Sequence, residues 1–178
     1  MRLFIAIDIP EKIKKEITKI QNSLPEFKGK KTEYENLHLT LKFLGEVDEK
    51  TLEQIKKKLE EIRLKRFKTE IKHLGFFDNR KSIRKQLIVW VNMTNCEELQ
   101  KEIDKKLSDL FEKERRFMGH LTIARVKQIR NDKTFFNKLL KVKIPEMNFI
   151  VKDFKLKKSK LGRPGPIYED IAVYELEI

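Results

Sequence analysis

Apolar positions recur along this chain with two periods, and the switches between them predict its elements. Arg2 to Asp8 (RLFIAID) reads as a first strand. From Glu11 to Ser23, Ile13, Ile17 and Ile20 fall at helical spacing behind Pro10, which suits a first helical turn. Leu37 to Leu44 returns to a strand pattern, and Gly45 ends it. Asp48 is the expected N-cap of a Lys/Glu-rich helix over 49–63, with Leu52, Ile55, Leu59 and Ile62 on its apolar side. Phe67 to Phe77 and Ile83 to Met93 predict two strands around a turn at Asp78 to Lys81. Asn95 is the expected cap of a further helix to about Lys113, apolar at Leu99, Ile103, Leu107, Leu110 and Phe111. Then come a strand over His120 to Val126 and a short helix over Asp132 to Leu140. Two late strands, Met147 to Lys157 and Ile167 to Ile178, flank the loop Lys158 to Pro166. Helices alternate with hairpin-like strands, which predicts an α+β fold with mixed or mostly antiparallel sheets.

One short pattern occurs twice. His38-Leu39-Thr40-Leu41 returns as His120-Leu121-Thr122-Ile123, 82 residues later and close to half the chain length. Each copy lies between two amphipathic helices, so the chain reads as two α/β lobes related by a pseudo-twofold axis. No Pro/Gly/Ser-rich linker divides them, so a single two-lobed domain over 1–178 is expected. In a strand, residues two apart share a face, so each His stands beside its Thr while Leu37, Leu39, Leu41 and Phe43 pack on the opposite side.

Charge narrows the partners. The 41 Lys+Arg against 28 Asp+Glu give a net +13, which favours a polyanion, nucleic acid first, although both signs are abundant enough for a hot-habitat surface. Cys96 is the only cysteine, which excludes an internal disulfide and fits a reducing compartment. The first nine residues are too short and too polar for a signal peptide, and no run approaches a membrane span. A cytoplasmic monomer is expected.

Two of the three histidines sit in the paired motif. With a reference pKa near ~6.5, one imidazole accepts a proton while the other donates. Hydroxyls of Thr40 and Thr122 suit the non-bridging oxygens of a phosphate, and departure opposite attack suits two histidines on opposing walls. Two histidines with no neighbouring Cys or acidic cluster make a poor metal site, so no cofactor is expected. Nucleophile-elbow, Walker and dinucleotide glycine patterns are absent. His73, in His-Leu-Gly, lacks the hydroxyl and reads as structural.

HLTLKFLG at 38–45 and HLTIARVK at 120–127 resemble the paired signatures of the two-histidine phosphoesterases, in the RNA 2′,3′-cyclic phosphodiesterase branch also called LigT-like or 2′-5′ RNA ligase. RLFIAIDIP at 2–10 and SKLGRPGPIYEDI at 159–171 are also similar to that branch. The resemblance implies a bilobal fold with both dyads in a central cleft. It also implies opening of a terminal RNA 2′,3′-cyclic phosphate to a 2′-phosphomonoester. Carried across, His38 would be the proton donor and His120 the acceptor. Thr40, Thr122 and Arg125 would contact the phosphate.

Arg125 conflicts with strand parity, because an offset of five from His120 faces the other way unless the strand bulges. Lys42 has the right parity, and Lys160, Arg163 and Tyr168 are further candidate RNA contacts. Phe43 is expected in the core. Partners would be RNA with a cyclic phosphate end, tRNA fragments included, or a small nucleotide. Two other readings of the same residues stand beside hydrolysis: 2′-5′ RNA ligation, the reverse reaction, and a non-catalytic RNA-binding module.

Overall fold

A computed structural model describes residues 1–178. The elements run β1 (Arg2–Asp8), α1 (Glu11–Asn22), β2 (Lys28–Lys31), β3 (His38–Glu46), α2 (Glu49–Glu60), β4 (Phe67–Ile71), β5 (Leu74–Asn79), β6 (Gln86–Asn92), α3 (Glu97–Lys106), β7 (His120–Gln128), α4 (Asp132–Leu139), β8 (Met147–Val151), β9 (Asp153–Leu161) and β10 (Pro166–Glu175). The main sheet has the order β10-β9-β1-β3-β7-β6-β5, with β2 added along β7; β4 and β8 form a second, two-stranded sheet. Every strand pairing in both sheets is antiparallel. The α+β expectation holds.

The repeat extends well beyond the motif. The series β1-α1-β3-α2-β4 recurs as β6-α3-β7-α4-β8, and the two copies meet along a seam where Leu39 pairs with Leu121. The last strands of the copies, β4 and β8, pair with each other. β3 and β7 are both nine residues long and share one burial pattern, position by position.

The helices interlock the copies. α1 packs against β7 and α3 against β3, each beneath the other copy's motif strand. Their inward faces carry Ile13, Ile17 and Ile20 on α1 and Leu99 and Ile103 on α3, with α2 adding Leu52, Ile55 and Leu59. Each such side chain contributes roughly 1.5–3 kcal/mol on full burial. The buried apolar residues form one cluster running from Leu3 to Leu176. No helix is long and apolar enough to cross a membrane.

Several boundaries differ from expectation for local reasons. The stretch 67–77 is two strands in different sheets, broken at Lys72-His73, where both backbone N–H groups donate to Asn92 Oδ1. The stretch 147–157 likewise divides at Lys152 into β8 and β9. α3 stops at Lys106 rather than Lys113: Leu107, Leu110 and Phe111 keep helical spacing through a turn and pack on the core from there. Its N-cap is Cys96, while Asn95 takes a left-handed φ of 63° and donates its amide to Lys68 O. Asp48 caps α2 as expected, accepting from Thr51 N at 2.7 Å.

Candidate active site

Both motif histidines stand on the face of the main sheet away from the apolar core, on adjoining strands joined at Leu39–Leu121. His38 Nδ1 lies 2.7 Å from Asn36 O, and His120 Nδ1 lies 2.8 Å from Met118 O. A carbonyl only accepts, so Nδ1 carries the hydrogen in both rings, and Nε2 is the free base. Thr40 Oγ1 therefore donates to His38 Nε2 across 3.0 Å. Nε2 of His120 has no protein partner, so its lone pair is open to the cleft.

The two rings are walled alike. Tyr168 meets His38 edge-on, with centroids 5.1 Å apart at 89°, and Phe77 meets His120 at 5.2 Å and 86°. Phe4 completes the first cradle and Trp90 the second. In a flat sheet β10 would stand about 14 Å from β3, at three strand spacings. Contact between Tyr168 and His38 thus requires the sheet to curl toward its catalytic face, which makes the two walls of the cleft. The β9–β10 loop continues the curl: Lys30 Nζ holds Pro164 O at 2.6 Å and Asn36 Nδ2 holds Pro166 O at 2.9 Å.

Bulges resolve the parity of the motif strands. Ile5 pairs with Lys42 but Ala6 with Thr40, so Leu41 is an extra residue; Val89 pairs with Ala124 but Trp90 with Thr122, so Ile123 is another. Each bulge falls at the fourth motif position and reverses the facing of the residues that follow, on β3 as far as a second bulge at Leu44. Arg125 consequently shares the face of His120 and Thr122, exposed and without an ion-pair partner. Its charge reaches both rings and disfavours their protonation.

The same reversal overturns two expectations. Lys42 is not an RNA contact: it is turned into the core, where Nζ binds Asp104 Oδ1 at 2.5 Å and Glu112 O at 2.7 Å. Phe43 is not core: it stands on the cleft face and is 71% exposed. Lys160 pairs with Glu169 at 2.7 Å on the strand face opposite Lys157 and Ser159, outside the cleft. Arg163 is exposed on the β9–β10 loop. Tyr168 is committed to Phe4 and His38, as a wall of the site. The cradle residues Phe4, Phe77 and Trp90 carry no site signal in the sequence, because as strand apolar positions they look like core.

Burial lowers the proton affinity of both histidines. His38 falls to about 4, through burial first and the nearby Lys157 and Arg125 charges next, with Asn36 O and Asp8 opposing. His120 is lowered by burial and by Arg125. Beside His38, Asp8 bridges Lys155 at 2.7 Å and Lys157 at 2.9 Å, and both lysines reach Asp170. Burial would raise the Asp8 carboxyl, but the two ammonium groups outweigh it and hold it below the ordinary range. No group of three or more His, Cys, Asp or Glu side chains comes together as a metal ion would require.

A family model described as LigT like Phosphoesterase matches residues 7–86 and 91–168, each stretch carrying one motif. The chain belongs to the LigT-like phosphoesterase family. Among LigT-like relatives, a protein of Methanocaldococcus jannaschii named RNA 2′,3′-cyclic phosphodiesterase is 47% identical over 96% of this chain and 98% of its own length. A protein of Archaeoglobus fulgidus with the same name is 37% identical over 98% and 100%. The fold matches a crystal structure of E. coli LigT complexed with 3′-AMP at a TM-score of 0.79 and 24% identity, covering 98% of this chain and 97% of that one.

Proposed function

We propose that the protein hydrolyses RNA 2′,3′-cyclic phosphate ends to 2′-phosphomonoesters, by metal-independent acid–base catalysis between His38 and His120. The observation that carries this reading is the pair of Nδ1-anchored imidazoles on adjoining strands of one cleft, with the unpaired guanidinium of Arg125 on the same face. A water oxygen attacks phosphorus and gives its proton to His120 Nε2. The P–O3′ bond breaks, and the 3′ oxygen takes a proton from His38, leaving the phosphate on O2′. Arg125, Thr40 and Thr122 hold the non-bridging oxygens as charge builds. The names borne by the two archaeal relatives support the substrate class. Cytoplasmic RNA ends, tRNA fragments among them, and small cyclic nucleotides are the substrates this reading admits.

The defining experiment incubates the protein with RNA bearing a 3′-terminal cyclic phosphate in EDTA and identifies the product. A 2′-phosphate formed at the same rate with and without chelator is expected. A 3′-phosphate product, or loss of activity that added metal restores, would overturn the reading.

The pH profile is a second test. Burial places both free-state histidine pKa values below 6.5, with His38 at about 4. The state that catalysis needs, with one ring protonated and the other neutral, is lost as pH rises through these lowered values. The kcat/KM profile, which reports the free enzyme, should therefore already be falling by neutral pH. In the complex, the phosphate anion favours a protonated ring, so the alkaline limb of kcat should lie at higher pH. An alkaline limb of kcat/KM centred well above 6.5 would contradict this account.

A further inference from the structure

The pseudo-twofold sets a different residue beside each histidine. Asp8 of β1 is the cross-strand partner of His38, and Asn92 of β6 is that of His120. Directly opposed residues share a face of the sheet, so each stands by its imidazole on the cleft side. Asn92 is neutral, and its Oδ1 accepts Lys72 N at 2.9 Å and His73 N at 2.7 Å. Gly75 and Phe77 of β5 and Trp90 of β6 add no charge there, which leaves Arg125 as the charge acting on His120. The two matched dyads thus sit in unlike fields.

Asp8 belongs to a closed ring of four charges. Its carboxylate holds Lys155 and Lys157, and both lysines go on to Asp170, at 2.6–2.9 Å throughout. β9 brings the lysines onto the cleft face, Lys155 opposite Ala6 and Lys157 opposite Phe4, and Lys157 is buried there. With two positive and two negative members the ring is neutral, so its field fades quickly with distance. A lone carboxylate would repel an anionic phosphate, whereas the ring acts mainly on the imidazole beside it. The groups facing His38 are then Asp8 from β1, Lys155 and Lys157 from β9, Asp170 and Tyr168 from β10, and Arg125 from β7. Of the charges, Lys157 and Arg125 disfavour protonation of His38 and Asp8 favours it.

We propose that this ring tunes His38 as a proton donor, with Asp8 and Lys157 as positioning residues of opposite effect. Asp8 keeps a proton on an imidazole that burial alone would strip. Lys157 keeps that proton loosely enough held to leave for the 3′ oxygen. A donor works best when its proton affinity matches the working pH, so neither charge alone would serve. His120, which must begin neutral, faces Asn92 and has no carboxylate beside it. The inference rests on His38 being the donor in the reaction proposed above, and adds the groups that make it one.

NMR titration of the histidine rings and the pH dependence of kcat on 2′,3′-cyclic AMP test it together. Asp8→Asn should lower the midpoint of His38 and move the alkaline limb of kcat to lower pH, because the donor loses its proton sooner. Lys157→Gln should move both upward, each change being on the order of one pH unit. The double variant should return close to the parent, and His120 should shift little in all three. A ring that only held the strands together would lower kcat in both single variants, with the limbs unmoved or moved the same way, and that outcome overturns the proposal. Asn92→Asp keeps the acceptor for Lys72 and His73 while placing a carboxylate beside His120, whose midpoint should rise. An unmoved His120 in that variant would equally overturn it. If His38 shifts in opposite directions but the parent opens no cyclic phosphate, the proposed reaction fails while the effect of the ring on the imidazole stands.

Discussion

His38→Ala and His120→Ala should each lower turnover of a nucleoside 2′,3′-cyclic phosphate by roughly 10²–10⁴-fold, the range for loss of a positioned proton-transfer group. Because the two act on one transition state, the double variant should be little worse than either single one. Substrate chemistry separates their roles. Catechol cyclic phosphate opens with a phenolate leaving group, which departs without a proton donor. On that substrate His38→Ala should recover most of its lost rate, whereas His120→Ala, lacking the base for water, should not. Recovery by His120→Ala would reverse the order of donor and acceptor. Parental activity of either variant on the nucleotide substrate would remove that histidine from the mechanism.

Lys42→Met should produce the largest loss of stability. The Lys42–Asp104 pair is sealed in the core, with side-chain exposures of 4% and 2%. Burial alone would raise the Asp104 carboxyl, but Lys42, the Gln100 amide and Glu114 N–H hold it ionised, below the ordinary range. Removing the ammonium leaves a buried anion without its counter-charge, at a cost of about 3–5 kcal/mol. At this chain length that corresponds to a fall in Tm of roughly 6–20 °C. The double variant Lys42→Met/Asp104→Leu removes both charges and should regain much of the loss, as buried pairs replaced by apolar side chains often do. A melting shift for Lys42→Met inside about 3 °C would show that the pair does not staple β3 to α3.

Much of this architecture is legible in the sequence because its periodic elements keep their apolar faces. Ile13, Ile17 and Ile20 define α1, Leu52, Ile55 and Leu59 define α2, and both motif strands begin with one face packed. Other parts carry no such signal. β2 is Lys-Gly-Lys-Lys, exposed throughout, and exists only because its backbone pairs with β7. The anchors of the histidines are the carbonyls of Asn36 and Met118, which every residue type supplies. Bulges are equally silent, since Leu41 and Ile123 continue the alternation that they interrupt in space. Strand parity misplaces Lys42 and Phe43 for that single reason, and the bulge, the exception that parity allows, is what sets Arg125 beside His120.

The extra residue in each motif strand works as a frameshift. Before it the cleft is read from even positions, 38 and 40 or 120 and 122; beyond it, from odd ones, 43 or 125. Deleting that extra residue, Leu41 or Ile123, would leave regular pairing with Lys42 still in the core and Phe43 and Arg125 still on the cleft face. Drawing it into the ladder instead, with no residue lost, would turn Phe43 or Arg125 into the core and Lys42 out into the cleft. For this site the hazardous change is therefore one that straightens the strand: a substitution alters a single side chain, whereas a lost bulge misdirects the residues beyond it.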